Sequence, residues 1–272
     1  MSQAVAPSVV EAEAFAQRQK AANVDETGWY VKHHRAWLWV AVTMWVTVFK
    51  IHARRNTAAA LALLGQFRGI LSSDRWKVYL AWVVEKRQLC WAHLIRDFRR
   101  FAEMDGRAAE IGEEFLDEAK LLFDFWYRVR DGTLSRSGFR CEMVQIRRRL
   151  RHLLMEGAQC RDKPVRATCR ELLKLFPALW TFAYVKGVEP TNNAAERAIR
   201  PAVIWRKVCF GTQSQEGCRF AERIMTVVAT LKQQRRNVAD FVIQACEAAL
   251  HGYKAPSLPP TDAVLRAVRI PA

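Results

Sequence analysis

Short, dense apolar runs open the chain and give way to long amphipathic ones. Between residues 22 and 52 the apolar positions are largely β-branched or aromatic, which predicts three successive strands over about 22–31, 36–42 and 45–52. Asn56 is a helix cap for a run over about 57–67. Residues 69–73 then read as a short strand ending at Asp74, and 87–90 as a fifth strand followed at once by a helix from Trp91 to about Glu103. The first hundred residues thus read β-β-β-α-β-α-β-α. From 107 to 184 the period changes. Ile111, Phe115, Leu116, Ala119, Leu122 and Phe123 recur at spacings of three and four, as a helix burying one face requires. Further helices are expected over 143–155 and 165–176, one starting near Asn192 or Asn193, and a closing pair over 220–234 and 238–250. The expected fold is α/β, with residues 1–20 as a short lead, one domain over 21–250, and an all-helical insertion over about 105–185. Residues 251–272, with Pro256, Pro259, Pro260 and Pro271, are expected to form a flexible tail.

Composition narrows the class. The 272 residues are 51% hydrophobic and 26% charged, the balance of an ordered globular chain. Against 27 Asp and Glu stand 43 Lys and Arg, a net charge of +16, which points to nucleic acid first, an anionic membrane surface second and acidic proteins third. The apolar stretch 36–49 is too short to span a bilayer as a helix. The first twenty residues lack the basic start and apolar core of a secretory signal. Seven cysteines without a C-x-x-C pair predict free thiols in a reducing cytoplasm.

In so basic a chain, carboxylates at strand ends stand out. Asp25 lies within the first strand and Asp74 at the end of the fourth; if those strands are neighbours, both groups project at one sheet edge. Two carboxylates held close favour a cation between them, and hard oxygen ligands suit Mg²⁺ or Mn²⁺. Glu196, early in a helix behind the small Ala194 and Ala195, is the candidate third ligand. Three carboxylates around such ions suit phosphoryl transfer, and Arg197, Arg200, Arg206 and Lys207 are candidates to hold DNA phosphates. Each acid also has an ordinary reading: Asp25 shaping a turn, Asp74 capping a helix, Glu196 complementing a helix dipole.

The motifs around these acids resemble those of bacterial transposases of the insertion-sequence-66 type. The matching stretches are VDETGW at 24–29, WLWV at 37–40, FRGILSSDRWKVY at 67–79, QLCWAHLIRDFRR at 88–100, TNNAAERAIRP at 191–201 and VIWRKVCFG at 203–211. The resemblance implies an RNase-H-like mixed sheet, a large all-helical insertion before the last catalytic helix, and a DDE triad falling on Asp25, Asp74 and Glu196. It further implies metal-dependent DNA cleavage and strand transfer, with transposon ends and target DNA as partners, an oligomer on DNA, accessory proteins of the same element, and a cytoplasmic, nucleoid-associated setting. Family members usually carry a longer N-terminal recognition region, so the expectation is a catalytic domain without it. His93, in the CWAHL stretch that the family pattern keeps, is placed near the active site by the same resemblance, touching phosphate or a carboxylate, with packing as its ordinary reading.

Three features compete for other roles. Cys90 and His93 have C-x-x-H spacing, but no second pair completes a structural zinc site. Trp37, Trp39 and Trp45 could stack on bases, though alternating aromatics are what half-buried strands use. The cations Arg147, Arg148, Arg149, Arg151, Arg161, Lys163, Arg166 and Arg170 could follow a DNA backbone or form a solvated face. No phosphate-cradling glycine loop is present, so ATP use is not indicated. The rival functional readings are a DNA-binding remnant without activity and an RNase-H-like nuclease without strand transfer.

Overall fold

Strand alternation decides what reaches the site, and it is set in the first fifty residues. The computed structural model describes residues 1–261. The described residues divide into two units, one formed by residues 1–82 with 192–261, the other by residues 83–191. In the first unit α1 (Ala6–Gln17) precedes β1 (Ala21–Val31), β2 (His34–Val42), β3 (Thr47–His52), α2 (Thr57–Leu64) and β4 (Ile70–Ser73). The strands lie in the order β3-β2-β1-β4. β1, β2 and β3 form an antiparallel meander, whereas β4 joins β1 in parallel. Asn56 caps α2 through a 3.0 Å bond from the Ala59 N–H, as its sequence position predicts.

The second unit contains β5 (Arg87–Leu89), α3 (Trp91–Ala102), α4 (Arg107–Arg130), α5 (Arg136–Gly157), α6 (Lys163–Lys174) and α7 (Thr181–Tyr184). The helix expected between the fourth and fifth strands is replaced by two short 3-10 turns, Lys77–Ala81 and Val84–Lys86. Neither has a side-chain cap, and burial of Val78 and Tyr79 holds the first turn tight. Aromatic rings fill the helical core: Phe98 stacks on Phe115 at 4.4 Å, and Trp126 meets Phe139 and Phe182 edge-on. Gly112 lets α4 press on the end of α3, because a Cβ there would lie 2.3 Å from the Ala102 nitrogen.

The chain re-enters the first unit through α8 (Asn193–Cys209), α9 (Gln215–Gln233) and α10 (Val238–His251). Two apolar layers sandwich the sheet. Ala22, Val24, Trp39, Ala41 and Val48 face one layer with α1, α2 and α10; Trp29, Leu38, Val40, Val42 and Phe49 face the other, with Ala195, Ile199 and Ala202 of α8. The short lead expected over 1–20 thus contains α1, whose Val9 and Ala12 are buried in the first layer. Within the expected tail, Leu258 is fully buried, and the Pro256 carbonyl accepts a 2.7 Å bond from Ser8. The part of that tail from 262 on lies outside the described residues.

α9 also closes the free edge of β3. The outward N–H groups of Thr47, Phe49 and Ile51 donate to Thr230, Thr226 and Glu222 at 3.0, 3.0 and 2.7 Å. Two strand residues span about 6.7 Å and four helical residues about 6 Å, so the two repeats keep step over three bonds.

Candidate active site

Period-two alternation puts Asp25 on the same face of β1 as Trp29, the face that packs against α8. Its register partner is Val40, which belongs to that same layer. In the parallel pairing of β1 with β4, Asn23 lies opposite Ser72, so Asp25 and Asp74 each stand two residues farther along neighbouring chains. Adjacent strands run about 4.8 Å apart. Asp74 holds its own turn by accepting the Trp76 N–H at 2.9 Å, and it caps no helix, since the following 3-10 turn starts at Lys77.

Glu196 arrives from the first turn of α8. Two bonds tie that helix to β1 on either side of the site. Asn192, buried at the helix start, donates its side-chain amide to the Val24 carbonyl at 2.6 Å instead of capping the helix. Near the other end Arg206 donates to the Gly28 carbonyl and, at 3.3 Å, to the Thr27 hydroxyl. Small Ala195, fully buried against the sheet layer, permits the close approach.

Burial and neighbouring negative charge act together on Asp25. The Asp25 carboxyl is pushed up from 3.8 to about 7, first by burial, then by Glu26, with Asp74 and Glu196 adding to the rise; the Glu26 N–H bond at 2.9 Å opposes it. Among the described residues Asp25 has no cationic ion-pair partner. Clustered carboxylates with hard oxygen donors fit a divalent cation of the Mg²⁺ or Mn²⁺ class.

Of the cations named from sequence, Arg197, Arg200 and Lys207 lie exposed on α8. Arg206, half-buried, bonds the β1 backbone through Nη1 and so helps to seat the helix. His93 lies in the second unit, half-buried in the first turn of α3. Sequence reasoning passed over Glu26, whose side chain alternates to the opposite face of β1 and is 2% exposed. It accepts bonds from Arg55 Nε (3.0 Å) and Nη2 (2.6 Å), and from the Tyr79 hydroxyl at 2.7 Å. The Arg55 guanidinium lies over the rings of Trp76 and Trp37, at 3.9 and 4.8 Å. Because Trp76 also holds Asp74 and Glu26 adjoins Asp25, this cluster joins the two strand ends from behind. The period-two rule was its available signal: in a strand, the neighbour of a site residue faces the other layer.

No helix among the described residues is long and apolar enough to cross a membrane. No curated protein and no solved structure matches the chain. A model of the family described as Transposase IS66 family matches residues 1–220, which include β1, the end of β4 and α8 and so Asp25, Asp74 and Glu196. With that match over most of its length, the chain belongs to the IS66 transposase family.

Proposed function

We propose that this chain is a DDE transposase that cleaves DNA and transfers the strand at a divalent-metal site held by Asp25, Asp74 and Glu196. The observation that carries the reading is the parallel register of β1 with β4, which sets Asp25 and Asp74 at matching positions on neighbouring chains, with Asp74 and Glu196 both raising the Asp25 carboxyl. Family membership supports the DNA substrate. The sheet order β3-β2-β1-β4, with the last strand parallel to β1, supports an RNase-H-like fold into which the helical unit is inserted before α8. When bound, Mg²⁺ or Mn²⁺ would activate water or a 3′-hydroxyl and stabilise the leaving oxygen.

The chain's own residues do the rest. Asn192 and Arg206 fix α8 on β1, so Glu196 keeps its place as the charge in the cluster changes. Asp25 holds a proton up to about pH 7 and must release it to ligate, so cation affinity rises with pH below that point. Arg197, Arg200 and Lys207 are the α8 cations proposed to grip DNA phosphates. The same reading includes an oligomer on DNA, accessory proteins of the element and a nucleoid-associated location.

The test is strand cleavage and transfer with Mn²⁺, comparing wild type with Asp25→Asn, Asp74→Asn and Glu196→Gln. Loss of both products in all three variants, with duplex binding retained, is expected. Normal cleavage by Asp74→Asn would remove the triad assignment. Hydrolysis without strand transfer in the wild type would favour the nuclease.

A further inference from the structure

Residues 27–73 contain no Asp or Glu, yet they carry six Lys or Arg and three His. The fold gathers most of these cations at one end of the sheet. Lys32 and His33 form the β1–β2 turn, His34 and Arg35 open β2, and Arg54 and Arg55 follow β3. The pairing of Trp37 with His52 sets the end of β3 beside the start of β2. All of these Lys and Arg side chains are exposed. Arg55 is bound to Glu26, whereas Lys32, Arg35 and Arg54 have no acidic partner among the described residues.

The turn is built rather than loose. Lys32 sits in the left-handed region at φ 56°, and its N–H donates to the Thr212 carbonyl at 2.7 Å, while the Thr212 N–H returns a 2.9 Å bond to Tyr30. Beside it opens a notch of about 430 Å³ with Lys32, His34, Arg35, Ser214 and Gln215 around an apolar floor of Val31, Ala36 and Ile51. A preshaped notch rimmed by Lys32 and Arg35, with exposed Arg54 next to its Ala53 wall, fits a polyanion with regularly spaced charges.

We propose that this hairpin tip is a second DNA-backbone contact, separate from the cations of α8. The choice of DNA over other polyanions rests on the function proposed above. Lys32 stands seven positions beyond Asp25, about 23 Å at strand rise. Duplex DNA advances 3.4 Å per base pair, so DNA touching both places extends about seven base pairs from the cleaved phosphate. The tip therefore grips flanking DNA rather than the reacting bond.

The test measures binding of the full chain to a mixed-sequence duplex about 30 base pairs long by fluorescence anisotropy over a range of salt. The variant Lys32→Ala/Arg35→Ala/Arg54→Ala is compared with the charge-matched Lys20→Ala/Arg235→Ala/Lys254→Ala, whose side chains are exposed elsewhere on the first unit. Each lost phosphate contact lowers the slope of log affinity against log salt by about 0.9, so the tip variant should lose two to three units of slope and roughly tenfold or more in affinity. Arg54→Ala alone should lose about one unit. Wild-type slope in the tip variant, or an equal loss in the control, overturns the proposal. So does a loss confined to phosphatidylserine vesicles, which would make the tip a membrane contact. Calorimetric Mn²⁺ binding should be unchanged in the tip variant. If the wild type itself binds no Mn²⁺, the triad reading fails, while the anisotropy comparison still decides the surface.

Discussion

The two units treat charge in opposite ways. Residues 83–191 hold 21 Lys and Arg against 16 Asp and Glu, and the structure engages most of the arginines within the unit. Arg107 binds Glu110, Glu114 and Glu156; Arg149 binds Glu118; Arg136 donates to the Phe182 carbonyl at 2.6 Å. Arg147 reaches the Tyr184 hydroxyl and lies over the Trp180 ring. Two arginines of the cluster on α5, Arg147 and Arg149, thus act as struts, while Arg148 and Arg151 stay exposed. The first unit leaves charge unbalanced in two places, a carboxylate cluster around Asp25 and a cationic hairpin tip. Unbalanced charge resists folding, and its concentration at two defined places is what motivates the two ligand surfaces proposed above.

This contrast is open to attack at several levels. The largest effect should come from neutralising single acids. Asp74→Asn should lower cleavage by about a thousandfold or more, whereas Glu118→Gln on α4 should leave it within about twofold, both read as initial rates with Mn²⁺. Similar losses in both would erase the distinction. Next comes removal of the carboxylate behind the site. Glu26→Ala leaves Arg55 and the buried Tyr79 hydroxyl without their partner and should cost about 3 kcal/mol in chemical denaturation. A change within error would mean that solvent takes over the role of Glu26.

Acidity offers a third approach. In metal-free protein the Asp25 pKa is raised from 3.8 to about 7, so the folded state holds a proton that the unfolded chain has lost. The contribution is therefore present below about pH 4 and is lost as pH rises to about 7. Thermal melting without metal should show this decline, and Asp25→Asn should flatten it and be the more stable protein at pH 8. An unchanged pH profile in Asp25→Asn would deny the cluster its electrostatic strain. The smallest effect belongs to the struts. Arg149 is roughly half exposed, so Arg149→Ala should cost no more than about 1 kcal/mol and leave the salt dependence of DNA binding unaltered.

Much of this was legible in the sequence. The first three strands declare themselves through β-branched and aromatic runs bounded by turns, and Asn56 marks the start of α2. The three acids were selected by strand position and by the family motif; the register of β1 with β4 sets Asp25 and Asp74 on neighbouring chains, and Glu196 stands in the first turn of α8. What escaped depends on contacts between distant residues. Arg206 looked like one more cation beside the site, because nothing local says that its guanidinium will reach the Gly28 carbonyl, 178 positions away in the chain. Residues 1–20 looked like a lead, since their burial under α10 and the sheet requires segments hundreds of positions later. Glu26 was hidden by adjacency to Asp25, although alternation alone sends the two side chains into different layers.

The three acceptors of α9 along β3 have a consequence for solubility. A sheet edge with regularly spaced, unbonded N–H groups is a template on which another chain's strand can add. Thr230, Thr226 and Glu222 occupy the places that an invading strand would need, so a helix performs the office of a neighbouring strand without inviting further growth. A copy of this chain truncated ahead of α9 would present β3 bare, and would be driven toward fibrous self-association through that edge.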